Sequence, residues 1–210
     1  GFKFDGKKII SSTEALYLDK VPKTLAVIGG GYIGLELGTV YAKLGSKVSV
    51  IEMEGQILPG FDKEIIDVLQ RNLEKLDIGI YLNSKASKFE NDKVFVESKD
   101  NGNLAIDADN LLVAVGRIPV TNSIGLENTK VKLDDKGFIK VDKNLRTSDG
   151  NIYAIGDVST GPMLAHKASS QGKFVAEAIA GNKDAYENIV VPAVIFTDPE
   201  IATVGMDEKE

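Results

Sequence analysis

Cysteine and tryptophan are absent from the 210 residues, and histidine occurs once. Without cysteine the chain can form no disulfide, offer no thiol nucleophile and build no thiolate metal site. With a single histidine, a zinc centre is not expected either, so no metal site is assigned. No apolar run approaches the roughly 18 residues that span a bilayer. Residues 1–20 show no signal-peptide layout. The expectation is therefore a cytoplasmic protein with no membrane partner. Basic residues are outnumbered, 25 against 31 acidic ones, and the net charge of −6 carries no basic stripe. Nucleic acid is not an expected partner. Repeats and low-complexity tracts are missing too. With 43% hydrophobic and 27% charged residues, the composition is that of a globular, soluble chain rather than a disordered one.

The 21 glycines are what the chain has in quantity, and three of them are placed to bind something. The β-branched run Leu25-Ala26-Val27-Ile28 reads as a buried parallel strand. It stops at Gly29-Gly30-Gly31 and resumes with the helical spacing Ile33, Leu37, Val40, Tyr41 and Leu44. Gly29, Gly31 and Gly34 thus form G-x-G-x-x-G at a strand-to-helix turn. Gly29 makes the turn, Gly31 admits a pyrophosphate close to the backbone, and Gly34 lets helix and strand pack closely. The helix start offers unpaired N–H groups and the positive end of its dipole. A second strand, Lys47-Val48-Ser49-Val50-Ile51, ends in Glu52, an acid at the spacing expected for a ribose-binding carboxylate. That carboxylate repels a 2′-phosphate, and no Lys or Arg follows until Lys63. The expected dinucleotide is NAD rather than NADP.

Elsewhere the chain alternates elements and turns. Residues 1–21 read as a connector with strand-like pieces, a turn at Asp5-Gly6 and a short helix before Pro22. Asp62 is placed to cap a helix whose apolar face is Ile65, Ile66, Leu69, Leu73 and Leu76. Residues 78–82 read as a third parallel strand, and 94–98 and 104–107 as a hairpin around Asp100-Asn101-Gly102-Asn103. Residues 111–115 should lie beside the first strand and end at Gly116, where ligands bind in such sheets, so Gly116 either admits a nucleotide close to the backbone or is a simple turn glycine. Further strands are expected at 137–141 and 151–157, a helix rich in small residues over 164–180, and strands at 190–196 and 201–204. Asp157, at a strand end, either accepts from a sugar or polyol hydroxyl or caps the turn that follows.

The order GGGYIGLELG, VSVIE, LLVAVGRIPVTN, IYAIGDV, GPMLAHKA and VIFTDPEIATVG resembles the flavin-dependent pyridine nucleotide–disulfide oxidoreductases. Within them it is most similar to the dihydrolipoamide dehydrogenases. Gly34 and Glu52 favour these NAD users over glutathione reductases, which typically carry Ala and cationic residues there. The resemblance implies an NAD site made by Gly29, Gly30, Gly31, Tyr32, Ile33, Gly34 and Glu52. It adds Ala86 at the adenine and Gly116 at the nicotinamide half, with Tyr32 either lidding the nicotinamide pocket or packing in the core. It implies FAD contacts by Asp157 and by the helix start at Met163, Leu164 and Ala165, whose N–H groups would face the flavin C2 carbonyl. Glu36 resembles a helix carboxylate that pairs with a lysine beside flavin N5, a lysine this chain does not contain. His166 stands beside the flavin-contacting segment, not in the family's catalytic His-Pro context, and is read as structural. Arg117-Ile118-Pro119 departs from the family's frequent Arg-Arg-Pro, and no role is assigned to the missing arginine.

The implied fold is a Rossmann-like NAD-binding domain, a parallel sheet with an antiparallel excursion, plus part of an FAD-binding domain. The expected divisions are a connector at 1–21, the NAD domain at 22–116, FAD-domain sequence at 117–189, and the start of an interface domain at 190–210. The family's N-terminal FAD motif and redox cysteines lie outside this sequence, so a central piece is expected, with no catalytic residue of its own. The parent enzyme would be a homodimer that oxidises dihydrolipoamide on the lipoyl domain of 2-oxo acid dehydrogenase complexes. Alternatives are a non-catalytic NAD-binding module, or a mercuric or coenzyme A-disulfide reductase.

Overall fold

The computed structural model describes residues 2–181, 186 and 190–206, and divides into two compact units. The first comprises residues 1–116 and 194–202, the second 117–193 and 203–210.

The first unit is built on a five-stranded parallel sheet. Its strands are β1 (Ile9–Ile10), β2 (Thr24–Ile28), β3 (Lys47–Ile51), β4 (Gly79–Tyr81) and β8 (Asn110–Val113), in the order β1-β8-β2-β3-β4. Between β4 and β8 the chain forms a three-stranded antiparallel sheet, β5 (Ser84–Glu90), β6 (Lys93–Ser98) and β7 (Gly102–Asp107). Helices α1 (Tyr32–Lys43) and α2 (Lys63–Lys75) complete the βαβ crossovers that parallel pairing requires.

Alternation along β2 explains how both faces of the sheet are covered. Leu25 and Val27 point to one face, where they meet Val48, Val50 and Leu112, Leu35 and Tyr41 of α1, and Ile66, Leu69 and Leu73 of α2. Ala26 and Ile28 point to the other, with Ile51, Leu111, and Val94 and Val96 of β6. The antiparallel sheet thus occupies a face that a helix would otherwise cover. Each fully buried Leu, Ile or Val contributes roughly 1.5–3 kcal/mol.

The packing face of α1 differs from the expected apolar stripe. Val40 and Leu44 are exposed, and the buried residues are Gly34, Leu35, Gly38, Thr39 and Tyr41. The glycines are the cause: a Cβ on Gly38 would stand 3.5 Å from Val48 Cγ1, so the helix sits close to the sheet on its glycine side. Asp62 occupies the N-cap position of α2, but its side chain makes no capping bond.

Residues 2–21 add more than a link. Ile9 and Ile10 pair with Leu111 and Leu112, and a 3-10 turn at Glu14–Leu16 replaces the expected helix. Tyr41 Oη donates to the Ala15 carbonyl at 2.6 Å, tying that turn to α1. β8 stops at Val113, two residues earlier than expected, and Val115 is exposed.

The second unit has little regular structure apart from α3 (Ala165–Ile179). The expected strands at 137–141 and 151–157 are single bridges only, Leu133–Ile139, Ile139–Ser159 and Arg146–Tyr153. The reason is local competition for backbone donors. Asp134 Oδ1 accepts from the amides of Lys136 and Phe138, and Asp142 Oδ1 from those of Asn144 and Arg146. Such turns compete with a ladder. Residues 151–157 end in a 3-10 turn at Gly156–Val158.

β9 (Ala193–Ile195) and β10 (Ile201–Thr203) form a two-stranded sheet. Ile195 and Ile201 join the core of the first unit. No helix among the described residues is long and apolar enough to cross a membrane.

Candidate functional site

The carboxyl ends of β2, β3 and β8 converge on the glycine loop, the place where open α/β sheets bind ligands. Gly29 N–H donates to the Ile51 carbonyl at 2.9 Å, and Ala114 N–H to that of Ile28 at 2.8 Å, so the three strand ends are laced together. Gly29 has φ +102°, and a Cβ there would lie 2.5 Å from the Ala114 carbonyl oxygen. Gly34 is equally confined, since its Cβ would fall 2.3 Å from the Gly29 oxygen and 3.0 Å from Val27 Cγ1. At Gly31 a Cβ would meet nothing within 4 Å. The two outer glycines are therefore required by the protein, while the middle one faces open space in front of α1. The loop fits a pyrophosphate: Gly31 caps the helix without a side-chain bond, and the first protein-bonded helix amide is Leu35, donating to Gly31.

Glu52 is buried beside this loop. Its Oε2 accepts from Gly30 N–H at 2.6 Å, and its Oε1 accepts from Glu54 N–H at 2.9 Å. Each oxygen keeps a further lone pair, so the carboxylate is oriented by the backbone yet able to accept from a diol. Gly30 O in turn accepts from Leu58 N–H at 2.8 Å, and a Cβ on Gly30 would stand 3.0 Å from Ile57 Cγ2. Next to Glu52 opens a cleft of about 350 Å³ lined by Met53, Asn83, Ser84, Lys85, Glu97, Ser98 and Lys99.

The other residues of the expected NAD site are spread around this centre. Tyr32 is the first residue of α1 and partly exposed, with Ile33 half-buried after it. Ala86 lies in β5 opposite Val96, and it packs half-buried against the cluster of Ile28 and Ile51. Gly116 has φ +129° with open space at its Cβ, so its requirement for glycine is conformational. Glu36 Oε1 accepts from Phe196 N–H at 2.9 Å, an anchor for the β9–β10 segment that sequence reasoning did not foresee.

In the second unit Asp157 lies in the Gly156–Val158 turn and is ion-paired to Arg117. Arg117 Nη1 also donates to the Met163 carbonyl at 3.1 Å, so one guanidinium joins the turn to the start of α3. Leu164 is the N-cap of α3, and its N–H donates back to Pro162 at 3.1 Å. Ala165 follows, exposed at the first helical position. His166 Nε2 donates to the Pro192 carbonyl at 2.6 Å.

Beneath this turn are two buried polar residues that sequence reasoning passed over. Lys167 is 4% exposed and donates to the carbonyls of Gly156 and Thr160, while Gln171, 5% exposed, accepts from Gly156 N–H at 2.7 Å. Burial pushes the Lys167 ammonium below the usual lysine range, an effect the nearby Asp157 carboxylate opposes. Their spacing of four residues on one helix face was the available signal.

Comparison with known proteins agrees with this arrangement. Residues 1–172 match the family model described as pyridine nucleotide-disulphide oxidoreductase. The chain is 48% identical to a dihydrolipoyl dehydrogenase of Geobacillus stearothermophilus and 45% identical to one of Bacillus subtilis. Both alignments cover all of this chain and 45% of the relative, so it spans under half the length of the relatives it matches. Among solved structures, an HOCl-induced flavoprotein disulfide reductase from Escherichia coli superposes with a TM-score of 0.86 at 33% identity, over 96% of this chain and 47% of that one. With a glycine loop, an oriented acid and a family match over most of its length, the chain belongs to the pyridine nucleotide–disulphide oxidoreductases.

Proposed function

We propose that this chain supplies the NAD-binding domain, and part of the FAD-binding domain, of a dihydrolipoyl dehydrogenase. The observation that carries the reading is Glu52. It is held by two backbone amides at the end of β3 and faces the loop whose Gly29 and Gly34 admit no side chain. The relatives at 45–48% identity support the substrate, dihydrolipoamide, and with it the lipoyl domain as partner and a homodimer as assembly. The proposed divisions are 1–21 as the segment entering from the FAD domain, 22–116 for NAD, 117–189 for FAD and 190–210 for the interface.

Each residue then has a task. The amides at the start of α1 and the bare Cα of Gly31 take the pyrophosphate, with Gly30, Tyr32 and Ile33 framing it. Glu52 accepts from the adenosine ribose hydroxyls and excludes a 2′-phosphate by charge. The cleft beside it, at the end of β5 where Ala86 lies, receives the adenine, and Gly116 borders the nicotinamide half. Asp157 orients the flavin nucleotide, and the N-terminal turn of α3 at Met163, Leu164 and Ala165 presents its dipole to the flavin. Glu36 supports the flavin side from α1. When bound, FAD and NAD supply hydride transfer between flavin and nicotinamide. Because Asp157 is already ion-paired with Arg117, a second reading, an NAD-binding module that holds no FAD by itself, is also favoured for this chain alone.

Titration of the chain with NADH, NADPH and FAD tests both readings. NADH should bind, NADPH should bind far more weakly, and FAD should be retained poorly. Absence of NADH binding, with Glu52→Ala indistinguishable from the unmodified chain, overturns the dinucleotide site.

A further inference from the structure

The geometry points to Lys167 as a positioning residue for the flavin: with Gln171 it grips both backbone groups of Gly156 and so sets the turn that presents Asp157. The inference rests on the proposed FAD contact of Asp157 and goes beyond it.

Gly156 is fixed at three points by one face of α3. Its N–H donates to Gln171 Oε1 at 2.7 Å, and its carbonyl accepts from Lys167 Nζ at 3.3 Å. Its Cα, at φ +71°, is so close to the helix that a Cβ would stand 3.0 Å from Ala168 Cβ. Lys167 reaches past it to the Thr160 carbonyl at 3.2 Å, spanning the far side of the same turn. Asp157 lies between these two carbonyls in sequence, and its backbone cannot shift without breaking one of the bonds.

The choice of lysine is the informative part. A lysine is almost never this buried unless paired, and the acceptors its ammonium reaches are neutral carbonyls that do not repay its desolvation as a hydrogen-bonded carboxylate would. A methionine of similar reach would fill the space without that cost. The ammonium is explained by what it holds: a turn that must keep one conformation while an anionic nucleotide is bound beside it.

The clamp is charged at neutral pH and discharges as pH rises. Burial lowers the lysine's affinity for its proton, and the Asp157 carboxylate, itself paired with Arg117, opposes that shift. His166, next in sequence, is turned to the Pro192 carbonyl. Loss of the proton leaves a neutral amine whose N–H groups bond the two carbonyls without charge assistance, and the turn loosens.

The test uses the full-length flavoenzyme that carries this chain and follows FAD release by flavin fluorescence from about pH 7 to about pH 10. For the unmodified enzyme, release should accelerate as pH rises toward the rate of a variant without the ammonium, which at neutral pH should be about tenfold faster, the scale of losing one charge-assisted bond. Lys167→Met should release FAD at the faster rate at every pH. Lys167→Gln keeps a donor but cannot titrate, and should be equally independent of pH. A folded Lys167→Met enzyme that releases FAD at the unmodified rate at neutral pH overturns the proposal. So does a pH-driven acceleration that persists in either folded variant. Asp157→Ala separates the two levels: wild-type FAD affinity in that variant removes the underlying FAD contact, whereas weakened affinity with an inert Lys167 removes only the positioning role.

Discussion

Replacing Glu52 by glutamine changes one atom and should show how the acid works. The carboxylate accepts from Gly30 N–H at 2.6 Å through one oxygen and from Glu54 N–H at 2.9 Å through the other. Glutamine offers one carbonyl oxygen and one NH₂. The oxygen will take the shorter, buried contact to Gly30, and the NH₂ will then face the Glu54 amide, donor to donor. Two charge-assisted bonds, each about 1.5–3 kcal/mol, are replaced by one neutral bond of about 1 kcal/mol and an unmatched amide. The net loss is at least about 2 kcal/mol. For a chain of this size that corresponds to a fall in melting temperature of about 4–8 °C. NADH affinity should drop about tenfold, the scale of exchanging a charge-assisted bond to a ribose hydroxyl for a neutral one. NADPH should lose much less, because the charge that repels its 2′-phosphate is also gone. Thermal unfolding with isothermal titration of both nucleotides reads all three. A Glu52→Gln protein that keeps its melting temperature and its preference for NADH would refute both the clamp and the ribose assignment.

Three further perturbations probe the frame around the site. Gly29→Ala places a Cβ 2.5 Å from a backbone oxygen at φ +102°; it should cost more than about 2 kcal/mol, read as a large drop in unfolding midpoint in urea. Tyr41→Phe removes the 2.6 Å bond to the Ala15 carbonyl and should cost about 1 kcal/mol, a fall of about 2–4 °C in melting temperature. Asp109 accepts from the amides of Lys23 and Thr24, and the Thr24 amide foremost holds its carboxyl below the usual aspartate range. Its contribution is therefore present above that range and lost as pH falls through the lowered value; Asp109→Asn should flatten stability between about pH 5 and pH 2 in acid unfolding curves.

The first unit was legible because its hydrophobic signals and turn chemistry agree. The residues of β2, β3 and β8 are apolar runs too short for helices, and two of the strands end in glycine or an acid at a family spacing. The face of α1 was misread for a physical reason: Gly34 and Gly38 pack by what they lack, and hydrophobic periodicity gives no weight to a missing side chain. That left Val40 and Leu44 counted toward a core they do not enter. β5 was missed because Ser-Lys-Ala-Ser-Lys-Phe-Glu is mostly polar, and an edge strand with one covered face needs few apolar residues.

The second unit shows the opposite balance, and its difficulty bears on function. Residues 137–141 and 151–157 have strand composition, yet Asp134 and Asp142 spend their carboxylates on nearby amides and fold the chain into turns. No local pattern marks where such turns will be held, because the restraint comes from elsewhere in sequence. Arg117 reaches Asp157 across 40 residues, and Gln171 reaches Gly156 across 15. Motif resemblance identified Asp157 as a candidate without supplying the groups that orient it. Those groups are long-range and polar, which is why composition cannot reveal them, and Arg117 joins two segments at once by donating to both Asp157 and the Met163 carbonyl. A turn held in this way can keep a carboxylate aimed without a surrounding sheet, so irregular backbone and a well-defined site are compatible in this unit.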